Sequence, residues 1–167
     1  MSVAELQGMG DEVRRVSAQN AHLYLWTTNN YLPSALVMMR LWGYNYRTVI
    51  SWFKGELVAP DAFQPDRMGL GQYYRGLTEH CLFGVRGMVP YRTRPDGKRA
   101  QGRTAVFARR GEHSKKPEAM RAMIEDVSAG PYLELFARGQ QPGWTCWGNE
   151  AVSATLGQQL GLREEIA

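Results

Sequence analysis

Hydrophobic and polar positions alternate between two periods along the chain, and the changes of period mark out its elements. Ser2-Val-Ala-Glu5 reads as a capping box, the serine hydroxyl answered by an acid three residues on, and opens a helix to about Val16. His22 to Thr27 predicts a strand. Pro33 to Leu41 predicts a helix with proline in its first turn and Gly43 just past its end. Tyr44 to Lys54 is rich in aromatic and β-branched residues and predicts a second strand that closes on a lysine. Gly55 to Gly76 shows neither period and reads as a long loop of the kind that forms lids or binding segments; it holds Gly69-Leu-Gly71 and the adjacent Tyr73 and Tyr74. Glu79 to Val85 resumes the strand pattern, Arg86 to about Arg103 is irregular, and Thr104 to Ala108 is a short strand. From Pro117 onward, Ala119, Met120, Met123, Ile124 and Val127 fall on one helical face, and Gly130 stops the helix. Tyr132 to Phe136, bounded by Gly130-Pro131 and Gly139, predicts a buried parallel strand, with its partner beginning at Trp144. A short helix through Ala151 to Leu160 ends the pattern.

Strands alternating with helices imply an α/β fold with a doubly wound, mostly parallel sheet covered on both faces. Ligands of such sheets bind beyond the carboxyl ends of the strands, where Glu134, Arg138, Asn149 and Glu150 gather on the last strand pair. With 167 residues and 44% hydrophobic content, the chain suits one domain with a real core. No apolar run is long enough to cross a membrane. Met1 to Arg15 carries Glu5, Asp11 and Glu12 and no apolar segment, unlike a secretory signal or an acid-poor transit peptide, so a cytoplasmic, intracellular protein is expected. Cys81 and Cys146 have no metal-ligand spacing and are too few for a disulfide framework, so they read as buried thiols and no metal is expected.

Charge changes the picture more than composition does. Arg86 to Lys116 holds ten basic residues against two acids, a net of +8, while the rest of the chain carries ten against fourteen, a net of −4. A basic segment on a mildly acidic body favours a phosphate-bearing partner. Arg92, Arg94, Lys98, Arg99, Arg109, Arg110, Lys115 and Lys116 are its candidate nucleic-acid contacts.

Seven blocks occur in a telling order: Leu23-Tyr-Leu-Trp-Thr-Thr-Asn29, Trp42-Gly-Tyr44, Trp52-Phe-Lys54, Arg75 with Glu79-His-Cys-Leu82, Ser114-Lys-Lys-Pro117, Leu133-Glu-Leu-Phe-Ala-Arg138, and Trp144 through Glu150. Together they resemble the adenine amino-group methyltransferases of the MT-A70 type, over about Ser2 to Glu150. The resemblance implies a circularly permuted class I methyltransferase fold that uses S-adenosylmethionine to methylate the exocyclic amine of adenine in RNA or DNA. Residues 1–150 would form the methyltransferase domain and 151–167 a short tail. By the same resemblance Lys54 meets the methionine carboxylate of the cofactor, a task suited to a compact charge on a flexible stem. Arg138, Gln140, Asn149 and Glu150 stand near its ribose and adenine, although Gln140 replaces a histidine found in some relatives. Glu150 is suited to grip a ribose diol. Glu134 would orient Lys54 or Arg138, and Arg75 and Glu79 would border the entrance for the target base.

One departure bears on activity. The family places an Asp-Pro-Pro-aromatic motif just before the region where this chain begins, and the eight prolines here include no adjacent pair. The resemblance therefore implies a fold lacking its first strand and its catalytic motif, with no catalytic residue assigned within this sequence. The adenine amino nitrogen has its lone pair delocalised into the ring and is a poor nucleophile until its N–H groups are held; such positioning is worth about 7 to 11 kcal/mol of barrier in favourable cases. Two expectations follow: an N-terminally truncated adenine methyltransferase, or a non-catalytic nucleic-acid-binding subunit docked on an active methyltransferase partner.

Overall fold

The computed structural model describes residues 1–69, 73–111 and 115–148. The tail helix expected over Ala151 to Leu160 lies outside them, as do Leu70, Gly71, Asn149 and Glu150. The capping box forms: Glu5 N–H donates to Ser2 Oγ at 3.2 Å and Ser2 N–H to Glu5 Oε2 at 2.5 Å. The helix it opens is not continuous to Val16. It divides at Met9 into α1 (Val3–Gly8) and α2 (Gly10–Val16). Glycines on both sides of Met9 weaken the helix there, and the break lets Gly10 lie against the Leu41 carbonyl while Trp42 Nε1 donates to the Leu6 carbonyl at 2.9 Å.

The larger sheet is built from β1 (Ala21–Thr27), β2 (Asn45–Ala59), β3 (Ala62–Pro65), β4 (Thr78–Arg86) and β5 (Ala105–Ala108). β4 lies between β1 and β2, antiparallel to both, so β1 and β2 run in the same direction and are joined by the crossover helix α3 (Leu32–Leu41). β5 is parallel to β2 on its other side, pairing Ser51 with Ala105 and Lys54 with Ala108. A second, two-stranded parallel sheet joins β6 (Tyr132–Leu135) to β7 (Trp144–Trp147). The mixed α/β class is as expected, but the mostly parallel sheet is corrected for β1, β4, β2 and β3, whose pairings are antiparallel. β2, β3 and β4 follow one another without a crossover helix, the connection that usually makes neighbouring strands parallel. The long loop expected over Gly55 to Gly76 is corrected too, because β2 runs through Gly55 to Ala59 and turns back as β3. In sequence Gly55 reads as the first residue past a strand that closes on Lys54. Instead its φ of +155° and the Gln64 carbonyl, 2.3 Å from where a Cβ would stand, make it a bend that only glycine fits.

β4 is the central strand and is buried on both faces: its neighbours Cys81 and Leu82 are 0% and 1% exposed and point to opposite sides. Leu82 joins Met9, Val13, Met38, Met39 and Trp42 beneath α1 to α3. Cys81 joins Ile50, Val106, Met120 and Ile124 beneath α4 (Glu118–Val127), the amphipathic helix legible in the sequence. Both cysteines are free and buried, and burial pushes the Cys81 thiol far above its ordinary value.

The two sheets meet around the end of α4. Ser128 Oγ bonds to His22 Nδ1 at 2.7 Å and Tyr24 OH at 2.8 Å, and Tyr132 OH donates to the Ser128 carbonyl at 2.8 Å. Burial pushes the Tyr24 hydroxyl up to about 12 and lowers His22, so both stay neutral at pH 7. Among the described residues β1 pairs only with β4 and β6 only with β7, which leaves one edge of each without a strand. Tyr132 packs against the cluster of Cys81, Ile50 and Met120, and Leu135 against that of Leu82, Met39 and Trp42, so β6 reaches both faces of the core.

Candidate functional site

The carboxyl ends of β1 and β5, the Lys54 bend of β2 and the first residues of β4 come together at one edge of the larger sheet. Strand register places Trp52 opposite Glu79, so the next residue on the same face of β2, Lys54, reaches the Glu79 carboxylate. Lys54 Nζ lies 2.6 Å from Oε1 and Lys116 Nζ, from the residue before the α4 cap, lies 2.7 Å from Oε2. Lys54 is only 9% exposed. Its ammonium stands over the Trp52 ring and that of Lys116 over Trp26, each at 5.2 Å, and the two indoles meet edge to face at 6.3 Å. Trp52 is itself fixed by a 2.8 Å bond from Nε1 to the Ala108 carbonyl. Burial works to raise the Glu79 carboxyl, but the hydrogen bonds and charges of Lys116 and Lys54 outweigh it and hold the group below its usual value.

This arrangement is one carboxylate shared between two cations, with net positive charge left over. Each ammonium has three donors and uses one on Glu79, so both retain donors for a second carboxylate. Glu79 thus holds the two lysines. Lys116, placed with the nucleic-acid contacts by its charge alone, belongs to this cluster with Lys54. In the sequence Trp26 and Trp52 stand only as members of two strands and of the family blocks, and the register that brings them here depends on the antiparallel direction of β4, which the sequence does not announce.

Beyond β6 the chain makes a second constrained feature. Phe136 adopts φ +62°, a conformation rarely taken by a bulky residue and a recurrent mark of functional sites. The turn brings Ala137 N–H to the Trp147 carbonyl at 2.8 Å and sets Arg138 and Gln140 on the exposed side beyond the strand end. Glu134, expected to orient Lys54 or Arg138, lies 3.6 Å from Arg121 instead.

The basic segment separates into two groups at opposite ends of α4. Toward the end of the helix, Arg94 binds Asp126 through two hydrogen bonds, Arg92 donates to the Glu125 carbonyl, and Arg99 lies 4.5 Å over the Tyr91 ring. Arg92 and Arg94 are occupied in fastening the irregular arm to α4 and Arg99 in packing within the arm, beside a Pro95-Asp96-Gly97 turn closed by Gly97 N–H on the Arg94 carbonyl. Near the start of the helix, Arg109 pairs with Glu56 at 2.8 Å and lines a groove of about 470 Å³ with Gly111, Lys115, Lys116 and Pro117. Among the described residues, Arg75, Lys98, Arg110 and Lys115 pair with no acid.

The MT-A70 family model matches residues 2–150. The chain belongs to the MT-A70 family. Among its relatives are the type II methyltransferase M.MunI of a Mycoplasma species, 31% identical over 153 residues that cover 90% of this chain and 58% of that protein. The human N(6)-adenosine-methyltransferase catalytic subunit METTL3 is 30% identical over 149 residues, 84% of this chain and 24% of its own length. A Medicago truncatula protein described as a putative N(6)-adenosine-methyltransferase is 30% identical over 92% of this chain and 24% of its own length. The MT-A70 membership makes the chain part of a transferase family, although it spans little more than half of M.MunI and a quarter of the others. Among the described residues no helix is long and apolar enough to cross a membrane, and no group of three or more metal-ligating side chains converges.

Proposed function

We propose that these residues form the S-adenosylmethionine-binding part of an enzyme that methylates the exocyclic amine of adenine in nucleic acid. The observation that carries this reading is the Lys54–Glu79–Lys116 cluster, which lies beside the carboxyl ends of β1 and β5. Its two ammonium groups suit the cofactor's amino-acid carboxylate, and Arg138, Gln140, Asn149 and Glu150 would serve the ribose and adenine. When bound, the cofactor supplies a methyl group made electrophilic by a sulfonium. The chain's own work is to orient: Glu79 fixes both lysines, the two indoles pack beneath their ammonium groups, and the Phe136 turn sets the direction of Arg138.

The group that grips the adenine amine comes from elsewhere. No Asp-Pro-Pro-aromatic motif occurs in these 167 residues, and the edges of β1 and β6, unpaired among the described residues, offer a place for the strand that would carry it. That segment would belong either to a longer form of this polypeptide or to an active partner subunit, in which case this chain contributes binding without turnover. The check is methyl transfer from labelled S-adenosylmethionine to unmethylated DNA and RNA, scored as N6-methyladenine after nuclease digestion. The 167-residue chain is expected to give no product alone, and the protein recovered from its native cells, with any extension or partner its intact mass reveals, is expected to give product. Turnover by the isolated chain would mean that the methylating residues lie within it.

A further inference from the structure

The segment between β3 and β4 displays two aromatic residues that the fold does not use. Tyr73 and Tyr74 are 92% and 91% exposed, and neither has a partner among the described residues. Large rings left in water at a defined place mark a surface that meets something. The segment is anchored at its base: Gly69 N–H donates to the Gly76 carbonyl at 3.1 Å, and Asp66 accepts from Arg110 N–H at 2.7 Å. Lys54 joins the same base from the other side, its N–H donating to Leu77 and its carbonyl accepting from Asp66. The base of the segment that carries the tyrosines therefore lies next to the end of β5, beside the candidate site, and Arg75 within the segment and Arg110 and Lys115 beyond β5 are cations without an acidic partner among the described residues.

We propose that Tyr73 and Tyr74 are a stacking platform for unpaired bases, with Arg110 and Lys115 meeting the adjoining phosphates, so that the substrate is engaged as a single strand next to the Lys54 cluster. This rests on the nucleic-acid reading above and narrows it to strands or regions whose bases are exposed. Every base has a π-face, so stacking tolerates any sequence, whereas a closed duplex hides those faces and leaves only phosphate contacts, which do not distinguish sequence. Arg92 and Arg94 are held by α4 and Arg109 by Glu56, whereas Arg110 and Lys115, near the base of this segment, have no acidic partner among the described residues.

Fluorescence anisotropy with a labelled mixed-sequence oligonucleotide, single-stranded and as a duplex, tests this across a range of salt. The Y73A/Y74A variant removes no buried surface, so it should fold normally. It should bind the single strand on the order of ten-fold more weakly or worse, with an unchanged salt dependence and unchanged duplex binding, while Y73F/Y74F retains wild-type affinity. R110Q/K115Q should weaken both forms and reduce the slope of log affinity against log salt by roughly 1.5. Wild-type single-strand affinity in Y73A/Y74A overturns the proposal, as does a preference of the wild-type chain for duplex. Binding of S-adenosylmethionine but of neither strand form would overturn this site and leave the cofactor reading intact. Tyrosine-dependent strand binding without cofactor binding would do the reverse.

Discussion

Glu79→Gln should lower the unfolding free energy by about 3 kcal/mol, within the range seen when one partner of a buried ion pair is removed. The Glu79 oxygens lie 2.6 and 2.7 Å from two ammonium groups, one on a lysine only 9% exposed. Glutamine keeps the shape but offers one carbonyl to one lysine and turns an amide donor toward the other, so two cations face each other without a countercharge. For a chain of this length the melting temperature should fall by about 6 to 12 °C. The pH dependence separates charge from packing. The folded Glu79 carboxyl lies below the ordinary value of 4.5. Its contribution is therefore fully present above the unfolded value and is lost as pH falls through the folded one. Urea unfolding followed by tryptophan fluorescence should show wild type and variant far apart at neutral pH and converging below about pH 4.5. A gap of constant size at all pH values would assign the loss to packing instead.

Gly148→Ala should be as damaging, for a purely steric reason. A Cβ at Gly148 would stand 2.1 Å from the Ala137 carbonyl oxygen and 2.5 Å from its nitrogen, both backbone atoms that no rotamer change can move. The contact exists because the left-handed turn at Phe136 folds the end of β6 onto the end of β7, where Ala137 and Cys146 are 2% and 1% exposed. Separating them would release Phe136 from its strained conformation and misdirect Arg138. Overpacking of this kind costs about 3 kcal/mol or more when backbone must yield. Loss of affinity for S-adenosylmethionine should accompany the loss of stability, read by denaturation and equilibrium binding on the same preparation. An alanine variant with wild-type stability would show that the two strand ends are not held in this contact.

Local elements were legible because their signals are local. The Ser2–Glu5 box, the proline-started α3 and the amphipathic face of α4 each announce themselves within one or two turns, and the structure has all three. What escaped was strand direction. β4 carries the same apolar run whether it lies parallel or antiparallel, and Gly55 looks like a terminator when read without the Gln64 carbonyl that requires it. The site inherits that blindness. Lys54 was placed at the cofactor by resemblance, but its tie to Glu79 and Lys116 depends on the Trp52 to Glu79 register and on where α4 begins. Charge counting gathered Arg92, Arg94 and Lys116 into one basic patch because it cannot see that Asp126, Glu125 and Glu79 already hold them.

Calorimetric titration of S-adenosylmethionine into the 167-residue chain and into its K54M/K116M variant asks most directly whether the lysine cluster is the cofactor anchor. A saturable wild-type site should weaken by at least about 10-fold in the variant, the equivalent of one lost charge-assisted hydrogen bond. Equal affinity in the two proteins would place the cofactor away from Glu79 and its two lysines.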